Sequence, residues 1–206
     1  MTEPRRIGVL ISGRGTNLQS ILDAVADGRL AASVAVVISN RPGAEGLARA
    51  EAAGVETLVL DHRAHRSREA YDAELVEALG ARRVELVCLA GFMRILSPAF
   101  IAAFQGRILN IHPSLLPAFP GVNPPYQAWE HGVTISGATV HFVDESLDGG
   151  PIVRQEAVPV QQGDTSDSLA ARILEAEHRI YPEAIGVVLK GGWRLDGRRF
   201  IPAARD

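Results

Sequence analysis

Cysteine is nearly absent: Cys88 is the one thiol in 206 residues, so no intrachain disulfide can form. It lies in the apolar run Leu86–Ala90, where a buried structural thiol is expected rather than a nucleophile. Positive charge is not in excess either. The 21 Lys and Arg stand against 24 Asp and Glu, for a net charge of −3, so no overall basic field draws nucleic acid or anionic membrane. Most of these charges are expected on a solvated exterior. No apolar run approaches membrane-spanning length, and Met1–Arg6 leads into a strand-like segment without a signal-peptide pattern. Internal repeats and low-complexity segments are missing as well. What remains is expected to be a globular cytoplasmic chain, monomer or homodimer, of a length suited to one domain.

What is present is an alternation. Ile7–Ile11 reads as a buried strand. Leu18, Ile21, Leu22 and Val25 then form an i, i+3, i+4, i+7 stripe, the mark of an amphipathic helix closed at Gly28. Strands follow at Val34–Ser39, Glu56–Leu60, Leu86–Ala90 and Arg107–Asn110. Helices intervene at about Ala44–Ala53, Ser67–Gly80 and Pro98–Phe104. Apolar strands separated by helices imply a mostly parallel, doubly wound, Rossmann-like α/β sheet with right-handed crossovers. The second half changes character. Asn110–Gly132 is rich in Pro, Gly, Leu and Phe. Ile135–Val143 and Ile152–Val160 read as an antiparallel addition joined by Asp144–Pro151, and a long helix runs from about Ser166 to Lys190. Within one domain, 1–206, the halves 1–105 and 106–206 therefore look different.

Ser12-Gly13-Arg14-Gly15-Thr16-Asn17 sits between the first strand and the first helix. Backbone N–H groups at a helix N-terminus, uncovered by glycines, make an anion site. No Gly-Lys-Ser/Thr follows, so the loop is not of the Walker type, and Leu18 stands where a dinucleotide fingerprint needs its last glycine. A monophosphate is the better guess. Arg41, after the second strand, keeps an NADP-type reading open, and a tight turn with Asn17 as a cap is the plain structural alternative.

Asn110-Ile111-His112-Pro113 follows directly from the fifth strand. Residues i and i+2 of an extended chain point the same way, so Asn110 and His112 project together from the carboxyl end, where open α/β sheets bind ligands. A neutral amide donor beside an imidazole can stabilise an oxyanion and manage a proton. Asp148, in Ser146-Leu147-Asp148-Gly149-Gly150-Pro151, is the natural third member, a carboxylate that would orient the imidazole and support its charged form.

These stretches resemble the folate-dependent formyltransferases: Leu109-Asn110-Ile111-His112-Pro113-Ser114-Leu115-Leu116-Pro117, Gly137–Phe142 and Leu147-Asp148-Gly149-Gly150-Pro151. Ser12–Gln19, Ala90–Ser97 and Glu177-His178-Arg179-Ile180-Tyr181-Pro182 are similar to the branch that formylates phosphoribosylglycinamide (GAR). The likeness runs from about Ile7 to Arg199. It implies transfer of a formyl group from 10-formyltetrahydrofolate to the GAR amine in purine synthesis, through a tetrahedral intermediate and without a metal. By resemblance Asn110, His112 and Asp148 are the catalytic trio. Gly15, Thr16 and Asn17 hold the GAR phosphate, and Glu177 meets the GAR amine. Met93, Arg94, Ile95, Leu96 and the Val143–Asp148 loop, with Asp144, line the pterin pocket, and Arg68 lies near the substrates.

One stretch departs from the pattern. Where the GAR branch often carries a His after Pro120-Gly121, this chain has Val122-Asn123-Pro124-Pro125-Tyr126-Gln127-Ala128-Trp129. That segment is nearer to formyltetrahydrofolate deformylase, a family that usually carries an extra N-terminal domain and a different first loop. Deformylation, transfer to another amine, and a nucleotide-binding module are the rival readings. His62 and His65 have an H-x-x-H spacing without a third ligand type nearby, so surface polar positions are expected. His131 and His141 have no partners that the sequence can name.

Overall fold

The computed structural model describes residues 3–203, so the first two positions of the Met1–Arg6 lead-in lie outside the described residues. The chain divides into two compact units, Met1–Leu109 and Asn110–Asp206.

The first unit alternates β1 (Arg5–Ile11), α1 (Thr16–Ala26), β2 (Ala32–Ser39), α2 (Gly46–Ala52), β3 (Thr57–Val59), α3 (Arg68–Ala81), β4 (Leu86–Leu89) and α4 (Pro98–Ala103). Its strands lie in the order β3-β2-β1-β4, all parallel. The unit boundary falls within β5 (Ile108–His112). Ile7, Val9, Leu10 and Ile11 are fully buried, as are Ile21 and Leu18 of α1 and Leu75 and Leu79 of α3. Each such side chain contributes roughly 1.5–3 kcal/mol by leaving water. Cys88 is buried, as its apolar run implied. Ser67 and Ser97 cap α3 and α4 by accepting from Ala70 N and Phe100 N.

The second unit contains α5 (Pro124–His131), β6 (Ile135–Phe142), β7 (Ile152–Pro159), α6 (Ser166–Lys190), β8 (Arg194–Asp196) and β9 (Arg199–Ile201). β6 and β7 are antiparallel, β7 pairs β9 in parallel, and β8–β9 form a hairpin. The mostly parallel sheet with antiparallel C-terminal strands and a long final helix is the architecture expected from the sequence. α6 begins with a capping box between Thr165 and Ser168 and buries Leu169, Ile173, Ala176, Ile180 and Ile185. Two elements were not expected. In α5, Pro124 and Pro125 occupy the first turn, where a missing N–H costs nothing, and Gly132 (φ 74°) ends the helix. In the β8–β9 hairpin, Asp196-Gly197 makes the turn, and Trp193 and Phe200 stack on Phe142 with centroids 5.2 and 6.1 Å away.

Candidate active site

In the first unit, the loop after β1 is built by close backbone fit. The Ser12 hydroxyl donates to Asn40 Oδ1 (2.6 Å) and accepts from Met93 N (2.8 Å), tying together the loops that follow β1, β2 and β4. Gly15 has φ 71°, and a Cβ there would stand 2.5 Å from the Gly46 Cα. Gly46 N in turn donates to Gly13 O at 3.0 Å. The glycine at 15 is therefore demanded by packing as well as by its left-handed backbone. Gly15 is also the N-cap of α1 and makes no side-chain capping bond. The alternative of Asn17 as the cap does not hold, because Asn17 lies inside the first turn of α1. Gly15 has no side chain with which to cap the first-turn amides, which suits an anion. Leu18 is fully buried in the place of a fingerprint's third glycine, while Arg41 lines an open cleft of about 590 Å³ with Arg14, His62 and Arg63.

Met93 and Ile95 are exposed, 69% and 67%, whereas Leu96 is buried in the core. Arg94 lies over the Tyr71 ring at 5.0 Å. Arg68 is exposed in the first turn of α3, against Glu69. His62 and His65 are half-buried rather than on the open surface. The His65 Nε2 lies 2.5 Å from Glu74, and that carboxylate raises the His65 pKa.

In the second unit, three of the expected residues converge. Asp148 adopts φ 50°, a conformation uncommon outside glycine. Its Oδ2 accepts from Gly121 N at 2.8 Å and lies 3.6 Å from His112 Nδ1. That is an ion-pair distance, too long for a hydrogen bond. The His112 Nε2 is 2.9 Å from the Phe119 carbonyl, and a carbonyl can only accept, so this nitrogen carries a hydrogen. Nδ1 is thus the ring nitrogen turned to the carboxylate. Phe119 also has positive φ (54°). The preceding loop is stitched to the hairpin: Thr139 Oγ1 donates to Ser114 O and accepts from Leu116 N, while Gln155 Nε2 donates to Leu116 O.

Asn110, half-buried, points its Nδ2 at His141 Nε2, 3.2 Å away. His141 Nε2 also lies 3.9 Å from Asp148 Oδ1. His141, for which the sequence offers only a packing or supporting role two residues from Thr139, is thus brought to the trio by the fold. Its signal was the alternation of β6, which puts Gly137, Thr139 and His141 on one face, two of them already bonded to or packed on the loop after His112. Glu177 is buried at 6% rather than solvated on a helix edge. Val143 and Asp144 are half-buried at the start of the loop that carries Asp148. The departing segment forms α5, with Val122 exposed ahead of it and Trp129 Nε1 donating to Asp164 O at 2.7 Å. Among the described residues no group of three or more His, Cys, Asp and Glu could hold a metal, and no helix is long and apolar enough to cross a membrane.

A strand-end amide, an imidazole and a carboxylate thus lie together in the second unit, a set of groups whose chemistry suits acyl transfer. The model of the Formyl transferase family matches residues 5–185, and the chain belongs to that family. It is 49% identical over 192 residues to the phosphoribosylglycinamide formyltransferase of Escherichia coli (strain K12), which covers 93% of this chain and 88% of that protein. The crystal structure of glycinamide ribonucleotide transformylase 1 from Symbiobacterium toebii superposes with TM-score 0.97 at 55% identity, covering 99% of this chain and 96% of that one. The trifunctional purine biosynthetic protein adenosine-3 of Drosophila melanogaster is 51% identical over 91% of this chain, which spans 14% of that protein's length.

Proposed function

We propose that this chain transfers the formyl group of 10-formyltetrahydrofolate to the amine of GAR, as a cytoplasmic enzyme of purine biosynthesis. The observation that carries the reading is the His112–Asp148 pair, 3.6 Å apart, beside the Asn110 amide at the end of β5. The amine nitrogen attacks the formyl carbon and gives a tetrahedral intermediate with a negatively charged oxygen. An Asn110 N–H and the Nδ1–H of protonated His112 donate to that oxygen. Asp148 faces the imidazolium and helps pass the proton lost by the amine toward N10 of the folate. The C–N10 bond then breaks, releasing tetrahydrofolate and formylated GAR. Losing one such donor costs about 100- to 1,000-fold in rate.

The remaining roles belong to the same proposal. The amides of Gly15, Thr16 and Asn17 hold the ribonucleotide phosphate, and Glu177 meets the GAR amine. Met93, Arg94, Ile95 and Leu96 contribute to the folate site, as do Val143, Asp144 and Asp148, and Arg68 assists there. The uncapped first turn of α1 supports the phosphate role, and the exposure of Met93 and Ile95 supports theirs. No step needs a metal.

The deciding experiment follows 10-formyltetrahydrofolate turnover by the purified protein, with and without GAR, reading tetrahydrofolate and formate separately. Turnover that requires GAR and releases no formate is the expected result. Formate release without GAR would make the chain a deformylase and direct attention to Val122–Trp129.

A further inference from the structure

His141 is fully enclosed, 2% exposed, and takes no direct part in the chemistry described above. Its Nδ1 lies 2.8 Å from the Phe142 carbonyl, which has no proton to give, so Nδ1 carries the hydrogen. In the neutral ring Nε2 is then a bare lone pair, and it faces Asn110 Nδ2 at 3.2 Å. The titratable groups around it are Asp148, with Oδ1 3.9 Å away, together with His112 and Asp144. Burial outweighs the carboxylates and holds the His141 pKa below its ordinary value.

The two ends of a carboxamide are nearly the same size, and only one of them donates. An oxyanion is stabilised by the NH2 end and opposed by the oxygen. Something must therefore decide which way Asn110 lies. We propose that His141 is a positioning residue: as the neutral Nδ1–H tautomer it accepts from the Asn110 amide, and so holds that amide with its second N–H free for the reacting oxygen. The reversed amide would set Oδ1 against the Nε2 lone pair, acceptor against acceptor. This inference rests on the proposed role of Asn110.

The backbone around His141 serves the same arrangement. The β6–β7 register shifts between Val140 and His141, the extra residue being Val153 of β7, so the bulge faces the His141 position. Gly150 packs so tightly that a Cβ would lie 1.9 Å from the Phe142 oxygen, and Phe142 N donates to Pro151 O at 2.9 Å. The glycine-proline turn after Asp148 thus fixes the carbonyl that selects the His141 tautomer. Protonated His141 would donate from both nitrogens and draw Oδ1 of Asn110 toward itself, turning the amide round. Turnover should then fall on the acid side as His141 takes up its proton.

The test combines kinetics with 15N NMR of histidine-labelled wild-type protein. At neutral pH the His141 ring should show the Nδ1–H tautomer; an Nε2–H tautomer or an imidazolium would overturn the proposal without any variant. His141→Leu should lower kcat about 10- to 100-fold with both KM values nearly unchanged. His141→Gln, whose Oε1 can accept the same bond, should recover part of kcat and lose the acid limb that His141 supplies. In an Asn110→Ala background His141→Leu should have no further effect, because one residue acts through the other. Effects that multiply would sink the positioning role while leaving Asn110 catalytic. If Asn110→Ala alone leaves kcat unchanged, the reading of Asn110 as oxyanion donor fails, and the positioning role fails with it.

Discussion

The places proposed to hold ligands are built from different materials in the two units. The first works with backbone: an uncapped helix start, and glycines at 15 and 46 so close that neither tolerates a side chain. The second works with side chains held by other side chains and by backbone groups: Asp148 by the Gly121 N–H, His112 on the Phe119 carbonyl, Asn110 on His141. Among the described residues, three of the four non-glycine positions with positive φ lie in the second unit, at Phe119, Asn123 and Asp148. Left-handed backbone at such residues costs of order 1–3 kcal/mol each and persists where the surroundings over-determine it. Backbone sites therefore fail by misfit, whereas side-chain sites fail by losing a proton carrier or a donor while the fold survives.

The largest effect that would test this contrast is in the second unit. His112→Ala should slow turnover by more than about 100-fold, with folate binding and thermal stability nearly unchanged. Steady-state kinetics and a binding titration check it, and wild-type turnover would remove His112 from the mechanism. Gly15→Ala should do the opposite. A methyl group 2.5 Å from the Gly46 Cα, at φ 71°, should destabilise the first unit by about 2 kcal/mol. Denaturant unfolding measures this, and any rise in the KM for GAR would accompany lost stability instead of standing alone. Thr16→Ala leaves both the loop's backbone fit and its amides intact, so it should change neither stability nor the KM for GAR by much if the phosphate is held by backbone N–H groups. A smaller effect belongs to α6. Thr165→Ala removes one half of the capping box and should cost about 1 kcal/mol, read by the same unfolding curves, with kcat unaltered.

The same contrast explains what could be read beforehand. In the first unit the strands β1, β2 and β4 and the helix α1 announce themselves through periodicity, since their apolar runs are largely buried. Leu18, Ile21 and Leu22 read as a helix stripe and are all buried. α6 was legible for the same reason, down to its ends at Ser166 and Lys190. The second unit hid α5, because two adjacent prolines look like a loop until they are recognised as a first turn. It also hid the β8–β9 hairpin, whose three-residue strands are too short to show alternation. At the site, Asn110, His112 and Asp148 were nameable because their residue types carry chemistry. His141 was not, since its meaning lies in the one acceptor lone pair left after Phe142 is satisfied, and that is a fact of three dimensions.

Two histidines give the contrast its finest test, because the units shift them in opposite directions. Glu74 raises the His65 pKa in the first unit, and burial lowers that of His141 in the second. Both start near 6.5 in the unfolded chain. For His65 the folded state holds its proton more tightly, so its contribution is fully present below about pH 6.5 and is lost as pH rises through the raised value. For His141 the unfolded state takes the proton first. Its contribution is therefore present above about pH 6.5 and is lost as pH falls through the lowered value. In wild-type protein the two slopes partly cancel just below neutrality. His65→Gln should remove the opposing slope and make acid destabilisation steeper, while His141→Gln should make it shallower. Urea unfolding between pH 5 and 8 measures both, and identical slopes in the two variants would mean that the opposed environments of these rings do not govern the acid stability of the fold.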